Sequence, residues 1–263
     1  MTKIYPGTVR EVVAWAAGRD TVRVSTTPPP GARVLIIEDE TTLAGMIAAY
    51  VSRAGYDSSV VRTGPDGVQA ARDLAPDVVI LDLGLPGLDG IEVCRQLRTF
   101  TDCYVIVVTA RKDEIDTLIG LSVGADDYIT KPFSVRELVA RVQAVLRRPR
   151  TGSTTASGTA RSEPTRVFGA LRVDPDGQRV HMGDVEVALT PTERDLLMAL
   201  ARRPSMAFSR RQLIDDIWGP DWVGDEHLVD VHVAHLRRKL GDDPETGRYI
   251  TTVRGVGYRM GQG

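Results

Sequence analysis

Between residues 33 and 147, short runs of Val, Ile and Leu alternate with longer segments in which apolar residues recur at helical spacing. Compact apolar runs predict buried strands, and the helical spacing predicts amphipathic helices. The predicted strands are 33–37, 58–61, 77–81, 104–108 and 127–129, and the predicted helices are 41–54, 65–74, 88–98, 113–121 and 134–147. Repeated alternation of strand and helix is typical of an α/β domain, here a doubly wound five-stranded parallel sheet covered on both faces.

The pattern changes after residue 166. Short strand patterns occupy 166–188, and the segment Leu-Thr-Pro-Thr-Glu-Arg then marks the start of a helix. Thr190 is a favourable N-cap, Pro191 suits the first helical position, and Glu193 occupies the capping-box position. The predicted helices are 191–202, 209–218 and 225–240, and strands follow at 249–253 and 257–260. Three helices followed by a hairpin predict an α+β winged-helix domain.

The segment 149–165 is rich in Ser, Thr and Gly and has no apolar periodicity. Such a composition is typical of a flexible linker. It separates a first predicted domain, 31–148, from a second, 166–263, and the chain length suits two domains better than one. Residues 1–30 end in Thr-Thr-Pro-Pro-Pro-Gly, and we expect them to form a poorly ordered N-terminal arm.

The composition argues against a membrane or secreted protein. No stretch reaches the length of about 18 uninterrupted apolar residues that indicates a membrane span, and residues 1–30 lack the features of a secretory signal. We therefore expect a cytoplasmic protein without membrane contact. Cys94 and Cys103 have neither a CxxC spacing nor a His partner. Two buried thiols are the favoured interpretation, rather than a disulfide framework or a zinc site.

Neither half of the chain is strongly basic. Residues 31–147 contain 17 acidic against 12 basic residues, a net charge of −5, and residues 166–263 contain 15 against 14, a net charge of −1. Nucleic-acid binding must therefore come from a local patch of positive charge rather than from a basic domain.

Charged and hydroxyl side chains follow the predicted strands of the first domain. Glu38 and Asp39 follow the first strand, Asp82 the third, Thr109 the fourth and Lys131 the fifth. The carboxyl ends of parallel strands lie at one edge of a sheet, where such sheets bind ligands. Converging carboxylates repel unless a cation lies among them. Mg²⁺ with oxygen ligands satisfies this requirement.

Four segments together resemble the receiver domain of bacterial two-component response regulators, a flavodoxin-like fold. They are Ile-Ile-Glu-Asp-Glu, Leu-Asp-Leu-Gly-Leu-Pro-Gly-Leu-Asp-Gly, Val-Val-Thr-Ala and Gly-Ala-Asp-Asp-Tyr-Ile-Thr-Lys-Pro-Phe. The resemblance implies that Asp82 is the phosphoacceptor of a sensor histidine kinase and that Thr109 and Lys131 hold phosphoryl oxygens. It implies Mg²⁺ as the cofactor, held by Glu38, Asp39, Asp82 and the carbonyl group of Gly84.

The same resemblance implies a switch and a dimer. Thr109 and the ring of Tyr128 would transmit phosphorylation, and a homodimer would form on phosphorylation through Asp126, Asp127, Glu137 and Arg141. Thr117 stands where relatives carry an Arg. Because an exposed ion pair contributes only about 0–1 kcal/mol, we expect a weaker dimer rather than none. The peptide bond before Pro132 is expected to be cis, with Lys131 directed inward.

The second domain resembles the effector domain of OmpR/PhoB-type regulators, through Leu-Thr-Pro-Thr-Glu, Ser-Arg-Arg-Gln-Leu, Val-Asp-Val-His-Val and Thr-Val-Arg-Gly-Val-Gly-Tyr-Arg. Its third helix would enter the major groove of promoter DNA. Candidate DNA contacts are Arg210, Arg211, His232, His235, Arg237, Arg238, Lys239 and Arg254. The Arg-Arg-Lys run also suits a solvated helix end that complements the dipole. Residues 219–226 resemble the segment that meets RNA polymerase in relatives, and Trp222 there is either exposed or packed.

These features predict a transcription factor whose DNA binding is controlled by phosphorylation. An alternative is a DNA-binding regulator that works independently of phosphorylation, with a degenerate or rewired receiver. A Mg²⁺-dependent phosphohydrolase with Asp82 as nucleophile is disfavoured, because such enzymes place an acid two residues later, where Gly84 stands. Without that general acid, efficient turnover of an external substrate is not expected.

Overall fold

The structure is a computed structural model that describes residues 31–110, 124–147 and 163–263. The predicted arm 1–30, the predicted helix 113–121 with Thr117, and most of the predicted linker lie outside the described residues.

The first domain is a parallel α/β domain, as predicted. Its elements are β1 (Arg33–Ile37), α1 (Thr41–Arg53), β2 (Asp57–Val61), α2 (Gly64–Leu74), β3 (Val78–Asp82), α3 (Gly90–Arg98), β4 (Tyr104–Thr109), β5 (Asp127–Thr130) and α4 (Val135–Leu146). Every predicted strand and helix that falls on described residues is confirmed, with small shifts of its ends. Element α4 corresponds to the predicted helix 134–147.

The order of strands in the sheet determines where its charged ends meet. All neighbouring strands are parallel, in the order β2-β1-β3-β4-β5. Strands β3 and β4 are buried along their whole length, which explains their continuous apolar runs. The connection reverses direction between β1 and β3. Parallel sheets bind ligands beyond the carboxyl ends of strands at such a point.

The turn after β3 depends on a close approach at Gly90, the first residue of α3. Asp89 caps this helix by accepting a hydrogen bond from the backbone N–H of Ile91 at 3.0 Å. A Cβ atom at Gly90 would lie 2.5 Å from the backbone oxygen of Asp82 and 2.7 Å from the Cα atom of Leu83. A side chain would therefore push the helix away from the end of β3.

Arg98, at the end of α3, connects the segment before β5 to the rest of the domain. Its guanidinium donates to Asp126 Oδ2 at 2.6 Å and to the backbone oxygens of Cys103 at 2.5 Å and Gly124 at 2.7 Å. Asp126 Oδ2 also accepts from the backbone N–H of Val105 at 2.9 Å. These bonds satisfy a carboxylate that is completely buried, and they hold the start of β5 in place.

The second domain contains two small antiparallel sheets and three helices. Its elements are β6 (Arg166–Phe168), β7 (Leu171–Asp174), β8 (Arg179–Met182), β9 (Val185–Glu186), α5 (Pro191–Arg202), β10 (Phe208–Ser209), α6 (Arg210–Ile217), α7 (His227–Leu240), β11 (Ile250–Val253) and β12 (Gly257–Met260). The strand orders are β6-β7-β8-β9 and β10-β12-β11. The predicted winged helix is confirmed. Strand β10, which joins the hairpin to the helices, was not predicted.

Local sequence explains where the first two helices of this domain begin. Thr190 and Glu193 form a capping box at α5, and Ser209 and Gln212 form a second one at α6. Each box satisfies two backbone N–H groups that would otherwise lack a partner. In the part of the chain that the structure describes, no helix combines the length and the apolar character that a membrane crossing requires.

Replacing Gly90 by Ala should destabilise the first domain by about 1–3 kcal/mol, because the backbone atoms that the new methyl group meets cannot move aside cheaply. Urea unfolding followed by circular dichroism would measure the loss. Gly45→Ala is the matched control, since nothing lies within 4 Å of a Cβ atom there. This exposed helical position should gain about 0.5–1 kcal/mol from the same substitution. Equal effects at the two glycines would contradict the close approach at Gly90.

Replacing Arg98 by Met should cost about 3–5 kcal/mol, because the buried carboxylate of Asp126 would lose its cation. The matched control is Arg95→Met on the same helix. Arg95 forms an exposed ion pair with Glu92 at 3.4 Å, so its loss should cost no more than about 1 kcal/mol. Urea denaturation of both variants would compare them. A small loss at Arg98 would show that Asp126 does not depend on this cation.

Candidate functional site

Three carboxylates and one ammonium group meet at the carboxyl edge of the parallel sheet. One carboxylate oxygen from each of Glu38, Asp39 and Asp82 lies within 4.8 Å of the others. The Nζ atom of Lys131 donates to Asp82 Oδ2 at 2.8 Å and to Glu38 Oε2 at 3.0 Å. We name these four residues the strand-end cluster. The convergence that the sequence predicted is present.

The electrostatics of the strand-end cluster reflect burial opposed by the ammonium group. Burial raises the pKa of Glu38 from 4.5 to about 7, and the hydrogen bond from Lys131 limits the rise, while the charge of Asp82 adds to it. Burial lowers the pKa of Lys131, but its hydrogen bonds with Asp82 and Glu38 outweigh burial and raise it overall. Lys131 is therefore a fixed positive charge between two carboxylates.

The backbone around Asp82 positions a carboxylate that is largely buried. Gly84 donates its N–H to Asp82 Oδ1 at 3.1 Å, and a Cβ atom at Gly84 would lie 3.7 Å from both carboxylate oxygens. Thr109 is buried at the end of β4, and its backbone oxygen accepts a hydrogen bond from the N–H of Lys131 at 2.7 Å. The peptide bond between Lys131 and Pro132 is cis, as expected.

This arrangement provides a carboxylate nucleophile next to a permanent cation. The three carboxylates supply the hard oxygen ligands that Mg²⁺ prefers, and with a single ammonium among them the cluster keeps an excess of negative charge that a divalent cation would neutralise. The geometry thus suits transfer of a negatively charged group to Asp82.

The opposite end of β5 lies against the second domain. Asp126 Oδ1 accepts a hydrogen bond from the backbone N–H of Thr192 at 3.2 Å. Asp127 Oδ2 accepts one from the indole N–H of Trp222 at 3.2 Å, and its Oδ1 accepts one from Arg141 at 2.7 Å. Both aspartates are completely buried. We call this arrangement, in which the second domain covers the start of β5, the closed arrangement.

In the closed arrangement, the second domain covers part of the predicted dimer surface of Asp126, Asp127, Glu137 and Arg141. The two aspartates and Arg141 are buried within the single chain, and Glu137 pairs with Arg141 at 2.9 Å. The sequence could not reveal this, because the covering residues lie in another domain. A dimer through these positions requires the second domain to move away.

The environment of Trp222, which the sequence left undecided, is a packed one. The indole is buried between the domains, with its ring 5.0 Å from the Arg141 guanidinium and 6.0 Å from the ring of Trp218. A cation over an aromatic face adds to the attraction in such a dry site. The predicted RNA polymerase segment is therefore fastened to the first domain at Trp222.

Three of the predicted DNA contacts on α7 are not accessible in the closed arrangement. His232 and His235 have no exposed surface, and Arg237 is buried. The His232 ring lies 3.1 Å from the backbone oxygen of Asp126, and Arg237 donates to the backbone oxygen of Ile250 at 2.7 Å. Arg237 thus holds the hairpin to α7, which corrects the prediction that it reaches DNA. His232 contacts the first domain where the prediction placed DNA.

The remaining predicted contacts are at least partly exposed. Arg238 and Arg254 are exposed, the latter in the turn between β11 and β12. Lys239 donates to Glu193 at 2.6 Å. Arg210 pairs with Asp230 at 2.8 Å, and Arg211 pairs with Asp215 at 2.7 Å. Arg210, Arg211 and Lys239 therefore each share their positive charge with a carboxylate of the same domain.

Tyr128, the predicted switch residue, is buried, and its hydroxyl has no hydrogen-bond partner among the described residues. Burial raises the pKa of this phenol, so it stays neutral. The switch prediction itself stays a prediction.

Sequence reasoning missed Arg98, Thr192 and Trp222 as contacts of the Asp126-Asp127 pair. One signal was available: two acidic residues stand at the start of a buried strand, and buried carboxylates require partners. The sequence therefore predicts that the two carboxylates have hydrogen-bond or ion-pair partners, but it does not predict which residues these are.

The two halves of the chain match two known families. Residues 34–143 match the family described as response regulator receiver domain, and residues 184–260 match the family described as transcriptional regulatory protein, C terminal. The matched ranges contain the strand-end cluster in the first case and α5, α6, α7 and the hairpin in the second.

Relatives align over nearly the whole chain. DNA-binding response regulator MtrA of Mycolicibacterium smegmatis is 41% identical over 231 residues, which cover 87% of this chain and 96% of MtrA. Transcriptional regulatory protein AfsQ1 of Streptomyces coelicolor is 41% identical over 227 residues, covering 86% and 97%. A solved structure of a RitR mutant is similar with a TM-score of 0.68 and 29% identity, covering 89% of this chain and 100% of that one. The chain belongs to the OmpR/PhoB-type family of two-component response regulators, DNA-binding transcription regulators rather than enzymes.

Proposed function

We propose that this regulator is switched by phosphorylation of Asp82 by a sensor histidine kinase. The observation that carries the proposal is the Lys131 ammonium, which lies 2.8 Å from Asp82 Oδ2 and 3.0 Å from Glu38 Oε2. A transferring phosphoryl group carries negative charge that preorganised cations stabilise. Lys131 supplies such a cation directly beside the nucleophile.

In the transfer, a carboxylate oxygen of Asp82 forms a bond to phosphorus while the bond from phosphorus to the kinase's histidine nitrogen breaks. The electron pair of that bond stays on the leaving nitrogen, which takes up a proton. Lys131 and the hydroxyl group of Thr109 hold oxygens of the transferred group. The product is an acyl phosphate on Asp82, and Tyr128 responds to the change at Thr109.

Mg²⁺ is the cofactor we propose for the strand-end cluster, because Glu38, Asp39 and Asp82 offer clustered carboxylate oxygens. The backbone carbonyl group of Gly84 completes the protein ligands. When bound, Mg²⁺ supplies additional positive charge next to the phosphoryl oxygens.

Replacing Asp82 by Asn should abolish phosphorylation, because an amide cannot accept the phosphoryl group. Intact-mass spectrometry after incubation with acetyl phosphate and Mg²⁺ would show the added mass of one phosphoryl group in the wild-type chain and no addition in the variant. The matched control is Asp89→Asn. Asn at that helix cap keeps its acceptor oxygen, so labelling should persist. Labelling of the Asp82 variant at the wild-type level would assign the phosphoryl group to another residue.

The closed arrangement supports a route from phosphorylation to DNA binding. Asp126 and Asp127, which belong to the proposed dimer surface, hold Thr192 and Trp222 of the second domain. Dimerisation and closure compete for the same face, so a phosphorylation that favours the dimer also frees α7. Thr117 removes one predicted ion pair and weakens this dimer. Release of Trp222 makes residues 219–226 available to RNA polymerase.

In the free form, α7 enters the major groove of promoter DNA and the hairpin reaches the minor groove. Arg254 is exposed at the tip of that hairpin, where it reads groove width more than base identity. Arg210, Arg211, Arg238 and Lys239 add positive charge around α6 and α7 for contact with phosphates. The protein acts in the cytoplasm, where its promoter DNA lies. Its two domains comprise residues 31–148 and 166–263, and residues 149–165 form the linker between them.

Replacing Arg254 by Ala should weaken promoter binding by about 1–3 kcal/mol, nearly uniformly across sequences, and lower the salt dependence by about one phosphate contact. Gel-shift titrations of the phosphorylated chain at several salt concentrations would measure both. Arg172→Ala removes the same charge from β7 and should leave affinity unchanged. Equal affinity of the Arg254 variant and the wild type would contradict the placement of the hairpin in the groove.

The same titration with Asp82→Ala tests the alternative, because a phosphorylation-independent regulator would keep full affinity.

A further inference from the structure

His232 is enclosed where the two domains meet. Its ring has no exposed surface. The Nε2 atom lies 3.1 Å from the backbone oxygen of Asp126 in the first domain, and the ring centre lies 5.7 Å from that of Trp218 in its own domain. The same contact region includes the hydrogen bonds from Thr192 to Asp126 and from Trp222 to Asp127. Separation of the domains would remove the carbonyl acceptor of His232 and let water reach its ring.

The hydrogen bonds of His232 fit a neutral ring. A carbonyl oxygen only accepts, so Nε2 must carry the proton. The Nδ1 atom is buried without a hydrogen-bond partner among the described residues. Protonation would place a second N–H there with no acceptor, and it would bury a charge, and both are costly.

The charged groups around His232 do not compensate for this burial. Glu193 on α5 faces the ring, but its carboxylate accepts hydrogen bonds from Lys239 at 2.6 Å and from the backbone of Thr190 at 2.8 Å. The Asp126 carboxylate is bonded to Arg98 and two backbone N–H groups. His235, on the same helix as His232, lies 6.2 Å away between ring centres, and its charged form would repel a charged His232.

We propose that closure of the two domains is sensitive to protons: the closed arrangement requires a neutral His232, so mild acid separates the domains and exposes α7. The effect on DNA binding rests on the function proposed above, whereas the proton dependence of closure does not. Protonation of His232 does not require phosphorylation of Asp82. It is a second way to shift the equilibrium between closed and separated domains.

The direction and size of the effect follow from linkage. Burial lowers the pKa of His232 from 6.5 to about 4, although Glu193 and Asp126 oppose the decrease. Because the pKa of His232 is lower in the closed arrangement, neutral His232 stabilises closure fully above pH 6.5. This stabilisation is lost as the pH falls from 6.5 toward 4. Between pH 7.5 and 5.5, the contribution of His232 should raise the ratio of open to closed molecules about tenfold.

Asp127 titrates in the opposite sense. Burial raises its pKa, with Arg141 and Trp222 opposing the increase, so protonation of Asp127 favours closure. Its contribution is present in the wild type and in His232 variants alike. Comparing the two at each pH therefore isolates the contribution of His232.

Domain separation can be followed by energy transfer between two dyes in the full-length Asp82→Asn chain, which cannot be phosphorylated at Asp82. Cysteines introduced at the exposed positions Arg62 and Val167 place one dye in each domain. The native thiols of Cys94 and Cys103 are buried, and burial raises the pKa of both, so labelling is specific. We expect the open-to-closed ratio of this chain, divided by that of its His232→Gln variant, to rise about tenfold between pH 7.5 and 5.5.

His227→Gln is the matched control, since His227 is exposed on the same helix and pairs with Asp230 at 2.9 Å. This variant should keep the pH dependence of the parent chain. The proposal is overturned if the parent chain and its His232→Gln variant show the same pH dependence.

A second measurement needs no change at His232. Ring signals of the four histidines can be titrated by NMR in the unphosphorylated chain and assigned by replacing the other three singly. His232 should stay neutral down to about pH 5, and should titrate near 6.5 once Trp222→Ala opens the domains. Titration near 6.5 in the closed chain refutes the proposal. Promoter affinity measured at the same pH values distinguishes the proton-sensitive closure from the proposed DNA binding by α7. If the domains separate in acid but affinity does not increase, the proton switch is supported and the role of α7 in DNA binding is contradicted.

Discussion

The ammonium of Lys131 and the carboxylate of Asp127 are joined by β5, a strand of 4 residues whose register with β4 is set by the sheet. A strand of that length spans roughly 13 Å. The residue whose ammonium group pairs with Glu38 and Asp82 therefore follows directly after the strand that begins at the contact with the second domain. In the proposed function, this short strand is the connection through which a charge change at one edge of the sheet reaches the other edge.

The contact between the domains is built from buried polar groups rather than from apolar surface alone. Asp126 and Asp127 are completely buried, and guanidinium groups, backbone N–H groups and the Trp222 indole satisfy their oxygens. Buried ionic networks contribute little net stability but are costly when incomplete. Such a contact is specific in geometry, yet small changes in charge or position can open it, which suits a reversible switch.

Closure within one chain and dimerisation through the same face exclude each other. The face of β5 and α4 that would join two copies is occupied by Thr192, Trp222 and His232 of the same chain. One surface can serve only one partner at a time. The proposed phosphorylation of Asp82 and the proposed protonation of His232 are then two ways to shift one equilibrium, because they act near opposite ends of the same strand.

Hydrophobic periodicity and cap residues determined the elements: the five parallel strands, the capping box of Thr190 and Glu193, and the convergence of Glu38, Asp82 and Lys131 follow from local pattern and the one-edge rule for parallel strands. Strand β10, the partners of Asp126 and Asp127, and the burial of His232 and Trp222 were decided by tertiary structure alone. Periodicity predicts which face of a helix or strand is apolar. The contact between Trp222 and Asp127, however, joins residues 95 positions apart. No local pattern encodes which polar faces of two domains will meet.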